Sequence, residues 1–175
     1  IAVAHYQFEA IHPFLDGNGR IGRLVVPLFL CDRNLLYYPV LYISEYFEKN
    51  RGEYIDALRA VDTENDWNVW IKFFLSGLKF QAVETQKSVL KIISLYNQIK
   101  DTIQGMGSMY GIPMLDFIFS RPIINYSILR DHLKASPQTI YNLISKFEDE
   151  GILVEISDQK RNRIYIFRDL FKILQ

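Results

Sequence analysis

One stretch of the sequence combines charged side chains with glycine: His12-Pro13-Phe14-Leu15-Asp16-Gly17-Asn18-Gly19-Arg20-Ile21-Gly22-Arg23. Apolar residues at helical spacing flank it, namely Ile1, Ala4, Phe8 and Ile11 before it and Ile21, Leu24, Val25, Leu28 and Phe29 after it. This spacing predicts a helix, a tight turn and the start of a second helix. Glycines in the turn permit positive φ and a close approach of the backbone to a ligand.

The predicted turn has the chemistry of a phosphate-binding site. The first amides of the second helix lack partners within the helix and lie at the positive end of its dipole. Arg20 and Arg23 are three residues apart, so both guanidinium groups can reach one anion. Asp16 would repel that anion unless a cation lay between them. Mg²⁺ is the cation that proteins usually hold beside phosphates.

These residues resemble the signature of the Fic family, His-x-Phe-x-(Asp/Glu)-Gly-Asn-Gly-Arg-x-x-Arg, with every fixed position filled. The resemblance implies a helical bundle that transfers the AMP part of ATP to a Ser, Thr or Tyr hydroxyl of a target protein. Pyrophosphate would be released. ATP and Mg²⁺ are the cofactors that the resemblance implies.

The resemblance also implies a role for each residue of the motif. His12 would be the general base, Asp16 the Mg²⁺ ligand, and Phe14 an anchor of the loop in the core. Arg23 would hold the γ-phosphate. The nucleotide-binding residues would be Gly17, Asn18, Gly19, Arg20, Gly22 and Arg23. Histidine ordinarily titrates near neutrality, which suits a group that takes a hydroxyl proton at physiological pH.

Two further sets of residues have a functional and a structural interpretation. The run 41–54 is similar to the segment that follows the Fic loop in relatives, where a tyrosine lines the adenosine pocket. Tyr54 is our candidate for that tyrosine and Asp62 a weaker candidate, while a purely structural Tyr54 remains the alternative. His5 and His132 are interpreted as structural, because an isolated histidine is more often packed than catalytic.

Composition limits the class of protein. The chain has 20 basic and 20 acidic residues, so no global field attracts nucleic acid or an anionic membrane. A single cysteine, Cys31, excludes an internal disulfide framework and favours a reducing, cytoplasmic location. No apolar run is long enough to span a bilayer, so we expect no membrane partner. Because the first residue is Ile1 inside a helix, we expect further residues upstream, including the target-binding flap of Fic relatives.

The middle of the chain predicts two more helical regions. Ser44 is a candidate cap for a helix over 45–61. A long helical pattern runs from 67 to about 104, either as one helix or as two that are broken near Ser76-Gly77. Three glycines in 105–111 then indicate a linker. The inhibitory motif (Ser/Thr)-x-x-x-Glu-(Gly/Asn) of some Fic relatives is absent from the sequence.

The last third has a different plan. It predicts helices over 114–120 and 127–134, and a third from Ser136-Pro137 to Glu150 that stops at Gly151. Alternating runs over 152–156 and 163–168 predict a hairpin around a polar turn at 157–162. This part resembles a winged helix-turn-helix module, found behind the Fic core in many bacterial relatives. We therefore expect a mainly α protein with a Fic core over 1–104, a linker over 105–111 and a winged helix over 112–175.

DNA is a second possible partner. Residues 113–175 contain nine basic and eight acidic residues, which is too balanced for a strong phosphate footprint. Locally, Lys160, Arg161 and Arg163 lie on the predicted wing, and the third helix offers Gln138, Thr139, Asn142 and Lys146 to base edges. A structural or homodimer-forming module is the open alternative.

Protein adenylylation with MgATP is the function that the sequence favours. The alternative is a DNA-binding regulator whose Fic-like loop only senses a nucleotide. A third option is phosphate transfer, as in some relatives. It is disfavoured because those relatives have other residues at the positions of Asp16, Gly17 and Arg20, whereas this sequence keeps the adenylylating pattern.

Overall fold

A computed structural model describes residues 1–105, 107–157, 159 and 163–174 of the chain. These ranges contain nine helices and three short strands. In chain order they are α1 (Ala2–Ile11), α2 (Asn18–Asp32), α3 (Ser44–Lys49), α4 (Arg51–Glu64), α5 (Trp67–Gln104), α6 (Gly111–Ser120), β1 (Ile123–Asn125), α7 (Tyr126–Leu133), α8 (Pro137–Asp149), β2 (Val154–Glu155), β3 (Ile164–Ile166) and α9 (Arg168–Leu174). The prediction of a mainly helical chain is confirmed.

The chain forms two compact units, Ile1–Lys87 and Ser88–Gln175, whose boundary lies within α5. The domain limits 1–104, 105–111 and 112–175 were drawn from sequence pattern, and they remain a prediction about independently folding parts. None of the helices in the described ranges combines the length and the apolar composition that a membrane crossing requires.

The first unit has an aromatic and aliphatic core. Its fully buried side chains are Val26, Ile43, Trp70 and Phe74, which come from α2, the turn before α3, and α5. The indole Nε1 of Trp70 donates a buried hydrogen bond of 2.9 Å to the carbonyl of Ala2. This hydrogen bond fixes the start of α1 to the core of the unit. The helix in turn positions the loop that follows it.

The helix predicted over 45–61 is two helices, so that prediction is wrong. The break lies at Asn50, whose backbone leaves the helical region at φ −116° and ψ 39°. Its side-chain amide donates to the carbonyl of Tyr46 at 2.8 Å and offers that carbonyl an alternative to a continued helix. The predicted Ser44 cap is also wrong, since Ile43 occupies the N-cap position and Ser44 lies inside α3.

The long pattern from 67 to 104 is one helix of 38 residues, without a break at Ser76-Gly77. Gly77 instead marks a close approach between helices. A Cβ at Gly77 would lie 2.4 Å from Cδ1 of Tyr46 in α3. The glycine that suggested a helix end thus accommodates an aromatic ring in the middle of a helix.

The second unit contains a three-stranded antiparallel sheet in the order β1-β3-β2. Its core contains fully buried side chains of α6, α7, α8 and the segment after β3, including Met114, Leu129, Phe147 and Phe167. Ile99 and Ile103 of α5 belong to the same core. Strand β1, which pairs Ile124 with Tyr165, was not predicted from the sequence because three residues are too few to show an alternating pattern.

Several predicted signals of the second unit are confirmed. The Ser136 hydroxyl accepts a hydrogen bond from the amide of Thr139 at 3.2 Å, and Pro137 is the first residue of α8. Gly151 follows α8 with φ +69°. The predicted hairpin is present as the shorter strands β2 and β3. Most of its polar turn, including Lys160 and Arg161 of the predicted wing, lies outside the described residues.

Candidate functional site

The loop between α1 and α2 begins and ends in left-handed backbone conformations. His12 follows α1 with φ 49° and ψ 56°, which is uncommon for a residue with a side chain. Gly17 precedes α2 with φ 85°, and its carbonyl accepts from the amide of Ile21 at 3.0 Å. Together these two residues reverse the chain, so that the exposed His12 lies at one end of the loop and the start of α2 at the other.

Asn18 closes this loop through its side chain. The side chain is almost fully buried, with 2% of its surface exposed. Its Oδ1 accepts from the amide of Phe14 at 2.9 Å, and its Nδ2 donates to the carbonyl of Phe14 at 2.6 Å. The Asn18 side chain therefore holds both the backbone amide and the backbone carbonyl of Phe14.

Phe14 does not anchor the loop in the core, contrary to the expectation. Its side chain is 49% exposed, and its ring centroid lies 6.3 Å from that of Phe8. Because the polar clamp of Asn18 holds the backbone of Phe14, the loop keeps its shape while the ring stays at the surface.

The first turn of α2 faces this loop without a side-chain cap among the described residues. Gly17 occupies the N-cap position and supplies no side chain, so the first amides of α2 remain available to an anion. The uncapped helix start agrees with the sequence analysis, and the binding of a nucleotide by Asn18, Gly19 and Arg20 remains a prediction.

Asp16 and Arg20 lie together on the outer side of the loop. Their side chains form an ion pair of 3.2 Å and are 92% and 75% exposed, respectively. Exposed pairs of this kind contribute only about 0–1 kcal/mol, so a ligand can replace the pair at little cost.

Arg23 lies deeper, beside the backbone of Gly19. A Cβ at Gly19 would lie 3.1 Å from Nη1 of Arg23. The lack of a side chain at Gly19 therefore leaves room for this guanidinium group. Among the described residues, no carboxylate oxygen is within 4.0 Å of Arg23. Its charge acts at longer range on Glu9, where burial raises the pKa of the carboxyl and the positive charge of Arg23 opposes that rise.

Gly22 is buried where α2 crosses α1. A Cβ at this position would lie 2.3 Å from Oε1 of Glu9 and 3.2 Å from Cδ1 of Phe8. The geometry thus accounts for Gly22 by the close packing of two helices, and its predicted contact with a nucleotide remains a prediction.

Tyr54 lies in α4 and is partly buried in the core of the first unit. Its ring stacks on Phe47 with centroids 4.7 Å apart, and its hydroxyl hydrogen-bonds to Nε2 of His5 at 3.1 Å. Burial raises the pKa of this hydroxyl. Asp62, the weaker candidate, is exposed and accepts a hydrogen bond from the hydroxyl of Tyr6.

A metal would find one carboxylate in the loop. Oδ1 of Asp16 accepts from the amide of Gly17 at 2.7 Å, and Oδ2 faces Arg20. Across the described residues, no three His, Cys, Asp or Glu side chains come together as a ligand set. Asp16 therefore fits Mg²⁺ only where phosphate oxygens and water complete the coordination, which is the usual way that this ion is bound beside phosphates.

Comparison with known proteins gives a family and relatives for part of the chain. Residues 1–30 match the sequence profile of the Fic/DOC family. A probable protein adenylyltransferase from Aquifex aeolicus is 40% identical over 60 residues, which are 34% of this chain and 16% of the relative. Protein adenylyltransferases Fic from Aedes aegypti and Drosophila grimshawi are 38% and 35% identical over 72 residues, 41% of this chain.

The matched region contains the whole stretch from His12 to Arg23, so the resemblance of that stretch to the Fic family is confirmed. The chain spans only 13–16% of the length of these curated relatives. The similarity therefore concerns the segment that contains the loop, and not the whole length of those proteins.

Proposed function

We propose that the protein transfers AMP from MgATP to a hydroxyl group of a target protein. The observation that carries this proposal is one loop that begins at His12 and ends at the uncapped start of α2, with the guanidinium group of Arg20 beside Asp16 and that of Arg23 beside Gly19. The likeness to proteins named protein adenylyltransferase supports it.

The reaction needs a base and neutralised phosphate charge. The oxygen of the target hydroxyl attacks the α-phosphorus, the bond from that phosphorus to the β-phosphate oxygen breaks, and pyrophosphate leaves. His12, exposed at the end of α1, takes the hydroxyl proton. The amides of α2, with Arg20 and Arg23, bind the phosphates and hold them in line. Mg²⁺ held by Asp16 and the phosphates would neutralise further charge.

Tyr54 would line the adenosine side of this site. The ring is held by Phe47 and the hydroxyl by His5, so its position is fixed before a ligand binds. The target is a protein with an accessible Ser, Thr or Tyr hydroxyl.

For the second unit we keep the proposal of a winged helix-turn-helix. The helices α6, α7 and α8 and the antiparallel order β1-β3-β2 support it. DNA is the proposed partner of the exposed face of α8, where Nε2 of Gln138 donates to Oδ1 of Asn142 at 2.9 Å. Arg163 is already paired with Glu155 at 3.4 Å, which weakens the basic face that DNA requires.

The substitution His12→Ala separates catalysis from nucleotide binding. We expect it to slow protein modification by about 10²–10⁴-fold, while the affinity for MgATP measured by calorimetry changes little. An equal loss of affinity would contradict the role of His12 as the base. Retained nucleotide binding with no modification by the wild-type chain would favour the alternative, a regulator that senses a nucleotide.

A further inference from the structure

His5 is a buried histidine that the proposed chemistry does not use. It lies in α1 with 1% of its surface exposed. Both of its ring nitrogens are nevertheless hydrogen-bonded, Nδ1 to the carbonyl of Gly22 at 3.0 Å and Nε2 to the hydroxyl of Tyr54 at 3.1 Å. One partner lies in the motif helix α2 and the other in α4, so a single imidazole connects three helices.

The direction of both hydrogen bonds follows from their partners. A carbonyl oxygen only accepts, so Nδ1 of His5 carries the hydrogen and donates to Gly22. In a neutral imidazole Nε2 is then the acceptor, and the hydroxyl of Tyr54 donates to it. Burial lowers the pKa of His5 to about 4, which keeps the ring neutral at physiological pH. The Glu9 oxygen 3.9 Å from Nε2 is therefore not an ion-pair partner at that pH.

The imidazole of His5 also packs among aromatic rings of the core. It stacks on the indole of Trp70 with centroids 5.8 Å apart and an interplanar angle of 14°. The ring centroids of Phe47 and Phe74 lie 5.5 and 5.8 Å from that of His5. Aromatic packing therefore sets the plane of the imidazole, and the two hydrogen bonds fix what it holds.

We infer that His5 is a positioning residue that holds the hydroxyl of Tyr54 and the first turns of α2 at a fixed separation. Since Tyr54 is the proposed adenosine side and the start of α2 the phosphate side, one imidazole sets the distance between the two halves of the nucleotide site. This inference rests on the proposed function.

The two hydrogen bonds can be removed one at a time. An asparagine side-chain amide can take the place of Nδ1, so His5→Asn keeps a donor toward Gly22 and loses the acceptor for Tyr54. A glutamine side chain reaches the place of Nε2, so His5→Gln keeps an acceptor for Tyr54 and loses the donor toward Gly22. Tyr54→Phe removes the second bond from its other end.

The test compares MgATP with magnesium tripolyphosphate, which has the phosphates and no nucleoside. Calorimetry on the full chain should show that His5→Asn and Tyr54→Phe weaken MgATP about 3- to 10-fold, the effect of one hydrogen bond, with little change for tripolyphosphate. His5→Gln should weaken both ligands. The matched control His132→Asn, in the second unit, should change neither, since His132 is exposed and stacks on Phe117.

Parallel losses for both ligands in all the His5 and Tyr54 variants, following their thermal stability, would show that His5 is only a core residue and would overturn the inference. Should the His5 variants fail to fold, Tyr54→Phe alone decides by the same split between the two ligands. A wild-type chain that binds neither ligand would contradict the proposed function, and this inference with it. If the wild type binds both ligands and no variant loses affinity for MgATP selectively, the result contradicts the inference and not the proposed function.

Discussion

Asn18 shows how one residue of the motif determines the shape of the loop. The sequence predicted Asn18 as a nucleotide-binding residue, but its side chain is committed to the backbone of Phe14 by two hydrogen bonds. Its backbone amide, at the start of α2, is the group that remains for a phosphate. The Asn18 side chain therefore shapes the loop, whereas its backbone amide, at the positive end of the helix dipole, is the group that can bind a phosphate.

Replacing Asn18 should therefore loosen the loop. We expect Asn18→Ala to lower the free energy of unfolding by about 1–3 kcal/mol, because the amide and carbonyl of Phe14 lose their partner. Tripolyphosphate affinity should fall with it. Asn97→Ala, at an exposed position of α5, is the matched control and should change stability by less than about 0.5 kcal/mol. Unfolding in urea and calorimetry measure both quantities, and equal behaviour of the two variants would refute the clamp.

His5 should also make stability depend on pH. Burial lowers its pKa from 6.5 to about 4, with the positive charge of Arg23 acting in the same direction and Glu9 lying nearby. Below pH 6.5 the unfolded chain takes a proton that the folded chain cannot, so stability falls as the pH drops from 6.5 toward 4. The whole loss amounts to about 3 kcal/mol.

His5→Phe removes this titration. We expect the unfolding free energy of the wild type minus that of His5→Phe to decrease as the pH falls from 7 to 4.5, because only the wild type loses stability through this titration. Unfolding in urea at each pH measures both values. Comparison of the two chains cancels the carboxylates that titrate in both. A constant difference across that range would show that His5 is not held neutral in the fold.

At the scale of elements, glycines in helices differ in whether the packing around them leaves room for a side chain, and the sequence does not distinguish the two cases. Gly77 meets the ring of Tyr46, whereas a Cβ at Gly52 in α4 would meet no described atom within 4 Å. Gly77→Ala should therefore destabilise the protein by about 1–3 kcal/mol through overpacking, despite the better helix propensity of alanine. Gly52→Ala should stabilise it by about 0.5–1 kcal/mol. Thermal unfolding of both variants tests this, and stabilisation by Gly77→Ala would contradict the contact.

The loop and the two ends of α8 were predictable because their signals are local. Positive φ at Gly17 and Gly151, and the Ser136 cap, depend on residues within a few positions of each other. The break at Asn50 was not predictable, because it depends on a hydrogen bond from the Asn50 side chain to the carbonyl of Tyr46 that the apolar pattern does not reveal. The continuity of α5 at Gly77 was not predictable either, because the ring that Gly77 accommodates belongs to another helix. For the same reason the sequence located His12 in its motif but gave no signal for the partners of His5, which are 17 and 49 residues away.

At the scale of the whole molecule, the second unit needs part of α5. Ile99 and Ile103 are buried in its core, and a Cβ at Gly111 would lie 2.5 Å from Cγ2 of Ile103. A fragment of residues 88–175 should therefore unfold cooperatively on heating. A fragment of residues 112–175 should be much less stable, because those two isoleucines leave its core exposed. Equal melting temperatures for the two fragments would restore the sequence-based limit at 112.

The measurement that tests AMP transfer most directly follows the two ends of ATP separately. The full chain is incubated with protein substrate and ATP labelled at either the α- or the γ-phosphate, beside the His12→Ala variant. We expect wild-type protein to attach the α label, and not the γ label, to protein, and His12→Ala to attach neither. Attachment of the γ label alone, or of the α label equally by both chains, would contradict adenylylation by His12.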